Sequence, residues 1–179
     1  MKLLSKYIAY ALFFTLAILC TGCKHDPYIQ ITANSKCSSD LLEFVNPVVT
    51  ITAQGENYTK EFTSADFVAY ENPQNPLVDN IATFTKRFDT DQVSGSIAIS
   101  YKLKDGVDFD NLSKETYYFS HNISYSKTIS DENGFKFTIN VSKDVQINNN
   151  EISKENVKSY IEKLILITDM VNFDEKINE

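Results

Sequence analysis

Ser96-Ile97-Ala98-Ile99-Ser100-Tyr101-Lys102-Leu103 is the stretch whose reading decides the fold. Ile97, Ile99, Tyr101 and Leu103 alternate with Ser96, Ala98, Ser100 and Lys102, so a pleated strand gathers the large apolar side chains on one face. A helix would scatter the same residues around its axis. The period recurs downstream, in Phe135, Phe137, Ile139 and Val141 against Lys136, Thr138, Asn140 and Ser142. It recurs again in Tyr117, Phe119, Ile123, Tyr125 and Ile129 against Tyr118, Ser120, Asn122, Ser124 and Thr128. Strands with one oily and one wet face belong to antiparallel sheets, because parallel sheets are covered on both sides.

Working outward, residues 28–33, 48–53, 58–62 and 83–88 are rich in β-branched or aromatic side chains and predict further strands. Turn chemistry falls between them. Gln54-Gly55-Glu56-Asn57 separates two short strands, Lys104-Asp105-Gly106 ends another, and Asp131-Glu132-Asn133-Gly134 links two long ones as a hairpin would. Residues 69–76, with Pro73 and Pro76, lack the period and predict a loop or crossover. About seven strands that each have a face to bury fit two sheets packed together. The expectation is a mainly β protein, an antiparallel immunoglobulin-like β-sandwich with a C-terminal helix.

That helix follows from a change of period. Val157, Tyr160, Ile161, Leu164, Ile165, Thr168 and Val171 recur at three and four, with Ser153 placed to cap, and predict a helix of about 18 residues. Leu164 to Ile167 is also a short apolar run that reads equally as a last strand. The polar residues 173–179 predict a frayed tail, so the sandwich domain is expected over 28–172.

The chain has 179 residues, room for one ordinary domain, and at 42% hydrophobic and 12% aromatic it is too apolar to be disordered. With 24 acidic and 17 basic residues it carries −7, which counts against a general nucleic-acid or anionic-membrane binder. The first 22 residues differ in kind from the rest. Lys2 and Lys6 precede the uncharged run Tyr7–Leu19, which at ~1.5 Å per residue spans about 20 Å and falls short of the ~30 Å hydrocarbon core. This is the pattern of a secretory signal.

The run ends in Cys20-Thr21-Gly22-Cys23, which resembles the lipobox of bacterial lipoproteins. The resemblance implies a diacylglyceryl group on the thiol of Cys23 and cleavage after Gly22, with Thr21 and Gly22 in the small positions and Cys20 where leucine is usual. An ordinary secretory signal containing cysteines is the alternative. Lipid anchoring is physically sufficient, since each buried methylene contributes ~0.8 kcal/mol and several chains together hold firmly. Loss of residues 1–22 removes two lysines and no acid, leaving 15 basic and 24 acidic residues and a charge of −9. Residues 23–27 are expected to form a short tether of roughly 15 Å. The segment from Cys37-Ser38-Ser39-Asp40 to Pro47-Val48-Val49-Thr50 is similar to one near the start of small Bacteroidota envelope lipoproteins. That likeness implies an immunoglobulin-like body and no activity.

Chemistry is sparse. Glycines stand at 22, 55, 95, 106 and 134, too far apart for a dinucleotide fingerprint, a Walker loop or a nucleophile elbow. His121 is the one histidine beyond the tether, where His25 lies, so no histidine pair is available for zinc. His121 falls on the apolar register of its strand, which favours a hydrogen-bonded interior or rim position over a catalytic base. Cys37 remains the single thiol once Cys20 is lost and Cys23 acylated, and reads as buried. Asp105, Asp108, Asp110 and Asn111 offer oxygen ligands but lack the order of a calcium loop, and turn formation is the plainer reading. Tyr58, Tyr70 and Tyr118 are candidates for exposed tyrosines that could stack on sugars or anchor a partner. The expected function is therefore a lipid-anchored protein of the bacterial cell envelope, in the outer membrane, acting as a non-catalytic protein-interaction module. The alternative is a carbohydrate-binding accessory lipoprotein. No cofactor, no metal site and no catalytic residue is expected.

Overall fold

A computed structural model describes residues 26–72, 75–131, 134 and 136–177. The expected signal segment, Gly22 and Cys23 lie outside the described residues, as do Phe135 and the side chains of Tyr70, Phe137 and Val141.

Strands are β1 (Tyr28–Ser38), β2 (Val45–Ala53), β3 (Glu56–Glu61), β4 (Val68–Asn72), β5 (Asn75–Phe88), β6 (Gln92–Leu103), β7 (Thr116–Ser130), β8 (Lys136–Ser153) and β9 (Asp169–Lys176). A short helix α1 (Ser39–Leu42) follows β1, and α2 (Val157–Leu164) precedes β9. All neighbouring strands are antiparallel, in one sheet of order β4-β5-β1-β7-β8 and another of order β3-β2-β6-β9. In immunoglobulin lettering these are D-E-B followed by a hairpin, and C′-C-F-G. The β7–β8 hairpin, inserted before the last strand, takes the place of strand A. The first described strand is therefore a central one.

Alternation places the core as expected. Ile29, Ile31, Ala33 and Cys37 of β1 face Val45, Val49 and Ile51 of β2 and Ile97 and Ile99 of β6 across the interior, with Phe119, Ile123 and Tyr125 of β7. Two turns follow local backbone chemistry. Gln54 (φ 54°) and Gly55 (φ 79°) sit between Ala53 and its partner Glu56, so both central residues of this two-residue hairpin have positive φ. Gly134 (φ 79°) donates its N–H to Asp131 O at 3.0 Å and leads into β8.

Three expectations are corrected. Residues 69–72 and 75–76 of the expected loop are strand, because β4 and the start of β5 pair there, Tyr70 with Asp79 and Asn72 with Asn75. Pro76 is tolerated near the start of a strand, and β4 is an edge that needs one neighbour only. The C-terminal helix has eight residues and stops at Leu164. Ile165 N–H still reaches Ile161 O at 3.0 Å, but Leu166 and Ile167 donate three residues back at 3.2 and 3.1 Å, tightening the last turn. The run Leu164–Ile167 is thus helix end and turn, not a strand, and leaves Leu166 83% exposed. Residues 173–176 are not frayed: they complete β9, which pairs with β6 from Asp169 opposite Ile99 to Lys176 opposite Gln92 and buries Phe173 and Glu175.

β6 can lie this close to β2, with Phe173 of β9 packed beside it, only because position 95 has no side chain. A Cβ there would stand 1.9 Å from Thr52 O and 3.0 Å from the Phe173 ring. Gly95→Ala is expected to lower stability by about 1–3 kcal/mol, with the loss read as a shift of the urea midpoint at unchanged slope.

Candidate functional site

Parity brings the chemistry-bearing residues to three places: the interior, the far end of the sandwich and the end where the chain enters. The interior holds a polar chain that crosses between the sheets. Tyr101 of β6 hydrogen-bonds through its hydroxyl to His121 Nδ1 at 2.5 Å, and His121 Nε2 meets Ser35 Oγ of β1 at 2.9 Å. Cys37 Sγ lies 4.0 Å from that hydroxyl. Whichever ring nitrogen carries the proton, both have a partner. His121 is 2% exposed, and burial pushes its pKa down to about 3, so the ring is neutral. Burial likewise raises the Tyr101 hydroxyl above its ordinary value. Buried and saturated with hydrogen bonds, His121 is an interior histidine, and Cys37 is buried beside it. A second interior polar group is Glu175 of β9. It accepts from Lys127 of β7 and, at 3.5 Å, from the Tyr125 hydroxyl, tying the two sheets by charge.

The far end is the one reached by the C-terminus of β1 and the N-terminus of β2. Here Asn46, Glu61, Ser64, Lys102, Lys104 and Asp105 contribute to the lining of an open polar cleft of about 410 Å³. Asn46 Nδ2 donates to Glu61 Oε1 at 2.9 Å and Lys102 Nζ to Glu61 Oε2 at 3.1 Å. The Asn46 bond, then the Lys102 bond, hold the Glu61 carboxyl below its ordinary value. Lys104 Nζ donates to Leu42 O and to Ser64 Oγ, the latter at 2.8 Å, and burial lowers its pKa. On the same end Lys114 clamps Asp40 and Glu43 at 2.8 and 2.6 Å, so α1 is fastened to the segment that leads into β7. Burial opposes the charge of Lys114, but the two carboxylates outweigh it and raise its pKa.

The other candidates resolve locally. Asp108 accepts from Asp110 N–H at 3.0 Å and from Asn111 Nδ2 at 2.6 Å, so its carboxylate serves the turn. Among the described residues no group of three or more His, Cys, Asp or Glu is placed to hold a metal ion. Tyr58 packs edge-on against Phe88 at 5.9 Å, with Lys86 over its ring at 3.8 Å. Tyr118 is 39% exposed and is the one aromatic among the exposed large apolar side chains of the described residues. Among the described residues the exposed tyrosines therefore do not form a row on a sheet face.

At the entry end, Tyr28 begins β1 with Arg87 Cζ 3.9 Å and Lys136 Nζ 5.8 Å from its ring centroid. Nothing in the periodicity announces these partners, which come from β5 and β8. The polar cleft was equally hidden, since its residues belong to three separate segments. Neither a protein family, nor a curated protein, nor a solved structure matches this chain.

The buried neutral imidazole has a thermodynamic consequence. An unfolded histidine takes up a proton below its ordinary pKa of 6.5, whereas the folded one does not until about 3, so the unfolded state binds more protons and stability falls as the pH is lowered. The slope approaches about 1.4 kcal/mol per pH unit well below 6.5. It is read most cleanly from about pH 6.5 to 5.5, above the range in which carboxylates of the unfolded chain, Glu61 and Asp66 among them, take up protons. Urea titrations across this window are expected to show the slope in the wild type and not in His121→Gln. Equal slopes would mean that the ring is open to solvent.

Proposed function

We propose that this chain is a lipid-anchored protein of the bacterial cell envelope, seated in the outer membrane, whose sandwich works as a non-catalytic module for binding a protein partner. The observation that carries the reading is the sequence Cys20-Thr21-Gly22-Cys23 directly after the uncharged run Tyr7–Leu19, with Cys23 five residues ahead of the start of β1. Two further observations support it. Among the described residues no helix is long and apolar enough to cross a membrane, so a lipid on Cys23 would supply attachment that α2 and α1 do not. The sheets also end in β4, β8, β3 and β9, each with a neighbour on one side only, which is the geometry that admits a partner's strand.

Three carboxylates are tied to lysines: Glu61 to Lys102, Asp66 to Lys60, Asp40 to Lys114. Such pairs stabilise surface geometry weakly, and they favour a reading in which the domain presents a shape. Among the described residues no exposed aromatic platform favours the carbohydrate alternative.

Feeding cells a clickable fatty acid is expected to label the wild-type chain and Cys20→Ser equally and to leave Cys23→Ser unlabelled, as an uncleaved precursor of higher mass. Label retained in Cys23→Ser would sink the anchoring reading. Protease added to intact cells then reports which leaflet holds the domain.

A further inference from the structure

We propose that Tyr28, with the Arg87 guanidinium and the Lys136 ammonium laid over its ring, is the foot on which the sandwich meets the phospholipid headgroups of its own leaflet. The inference rests on lipidation of Cys23, and goes on to say which part of the domain touches the bilayer. Four residues, 24–27, separate Cys23 from Tyr28, so at ~3.5 Å per residue the first strand begins no more than about 17 Å from the lipid-bearing residue. β1 itself has 11 residues and carries the far end roughly 35 Å further on, at ~3.3 Å per residue. The entry end is therefore held at the headgroups, whereas the cleft of Asn46, Glu61 and Lys102 is not.

The chemistry at the point of entry suits that surface. A tyrosine sits well at a membrane interface, with its ring against the apolar boundary and its hydroxyl among the headgroups. Arg87 spends its Nε on Asp89 at 2.7 Å, which leaves its two terminal amino groups for phosphate oxygens, and its side chain is 51% exposed. Lys136 is exposed on the neighbouring strand end. Asp89 offsets one of these two cations and the mature domain as a whole is strongly acidic, so the positive charge offered to a phosphate here is that of the Arg87 and Lys136 clamp itself. Asp26, Asp91 and Asp131 stand at the same end and repel an anionic surface, so the attraction is confined to the corner where the clamp lies. A domain with this distribution stands on that corner and keeps its other faces off the leaflet.

The chain has no tryptophan, so a single indole reports one position without background. Full-length acylated Tyr28→Trp and Tyr118→Trp are reconstituted in vesicles of phosphatidylcholine and phosphatidylglycerol containing lipids brominated near the top of the acyl chain. Emission at position 28 is expected to fall at least twofold and at position 118, near the far end, to stay unchanged. Arg87→Gln with Lys136→Gln in the Tyr28→Trp background is expected to abolish most of that quenching. In the unaltered protein, an amine-reactive reagent is expected to modify Lys136 several-fold more slowly on vesicles than in detergent, with Lys102 unaffected. Equal quenching at both positions, or none in protein whose acylation is confirmed by mass, overturns the proposal, as does an unchanged labelling rate at Lys136. Protein that carries no acyl group and stays off the vesicles sinks the anchoring reading itself, a result the mass measurement separates from the others.

Discussion

The parity of β1 is the constraint from which the rest of the structure follows. This strand is paired along ten residues on each side, with β5 from Ile29 opposite Phe88 to Ser38 opposite Asp79, and with β7 from Tyr28 opposite Ser130 to Cys37 opposite His121. Its inward residues are Ile29, Ile31, Ala33, Ser35 and Cys37, all buried, while Gln30, Thr32, Asn34 and Lys36 face out. A slip of one residue would drive an amide, a threonine, an asparagine and a lysine into the core, at a cost no hairpin could offset. Once β1 is in register, β5 and β7 can sit in only one way. Ser35 then stands where His121 arrives, and the second sheet completes the chain through Tyr101.

Much of this architecture was legible because period two is a local property. The alternation in 96–103 and 117–129 corresponds to β6 and β7, and Gln54-Gly55 and Gly134 lie at the turns their chemistry suggests. What escaped has a common cause, namely strands whose sequence is shaped by solvent. β9 reads Asp169-Met170-Val171-Asn172-Phe173-Asp174-Glu175-Lys176, and as an edge strand it buries only Phe173 and Glu175 deeply, so charge masks the period. Val171 belongs to a strand yet falls three residues after Thr168 and seven after Leu164, which is how a helical period appeared to continue past its end. β4 was concealed by Pro73 and Pro76, which follow it, and by its length of five residues. α1 is four residues long, with the Ser38 hydroxyl accepting from Leu41 N–H, a signal too brief to separate from a turn.

The side-chain groupings were less legible than the strands, and the reason is register. His121 was placeable on an inward face from its own strand alone. Its partners were not, because Ser35 is 86 residues away and Tyr101 is 20, and only the pairing of β1 with β7 and the packing of one sheet on the other select them. The same holds for Tyr28, whose ring meets cations from positions 87 and 136, and for Glu61, which meets Asn46 and Lys102. Each grouping joins strands that are neighbours in space and distant in sequence.

Substituting the β7–β8 hairpin for a first strand has a mechanical consequence. In an immunoglobulin sandwich entered through strand A, the terminus belongs to a strand that can peel away from its single neighbour one hydrogen bond at a time. Here the first described strand is β1, flanked by β5 and β7 and continuous with the core. A pull at Tyr28 along the strand loads two ladders of ten residue pairs in shear, so many bonds must yield together before any residue leaves. Extracting β1 would also drag Ile29, Ile31 and Ala33 out of the interior, at about 1.5–3 kcal/mol for each large aliphatic side chain. The geometry thus sets two full ladders and the apolar side chains of β1 against a pull at its amino end.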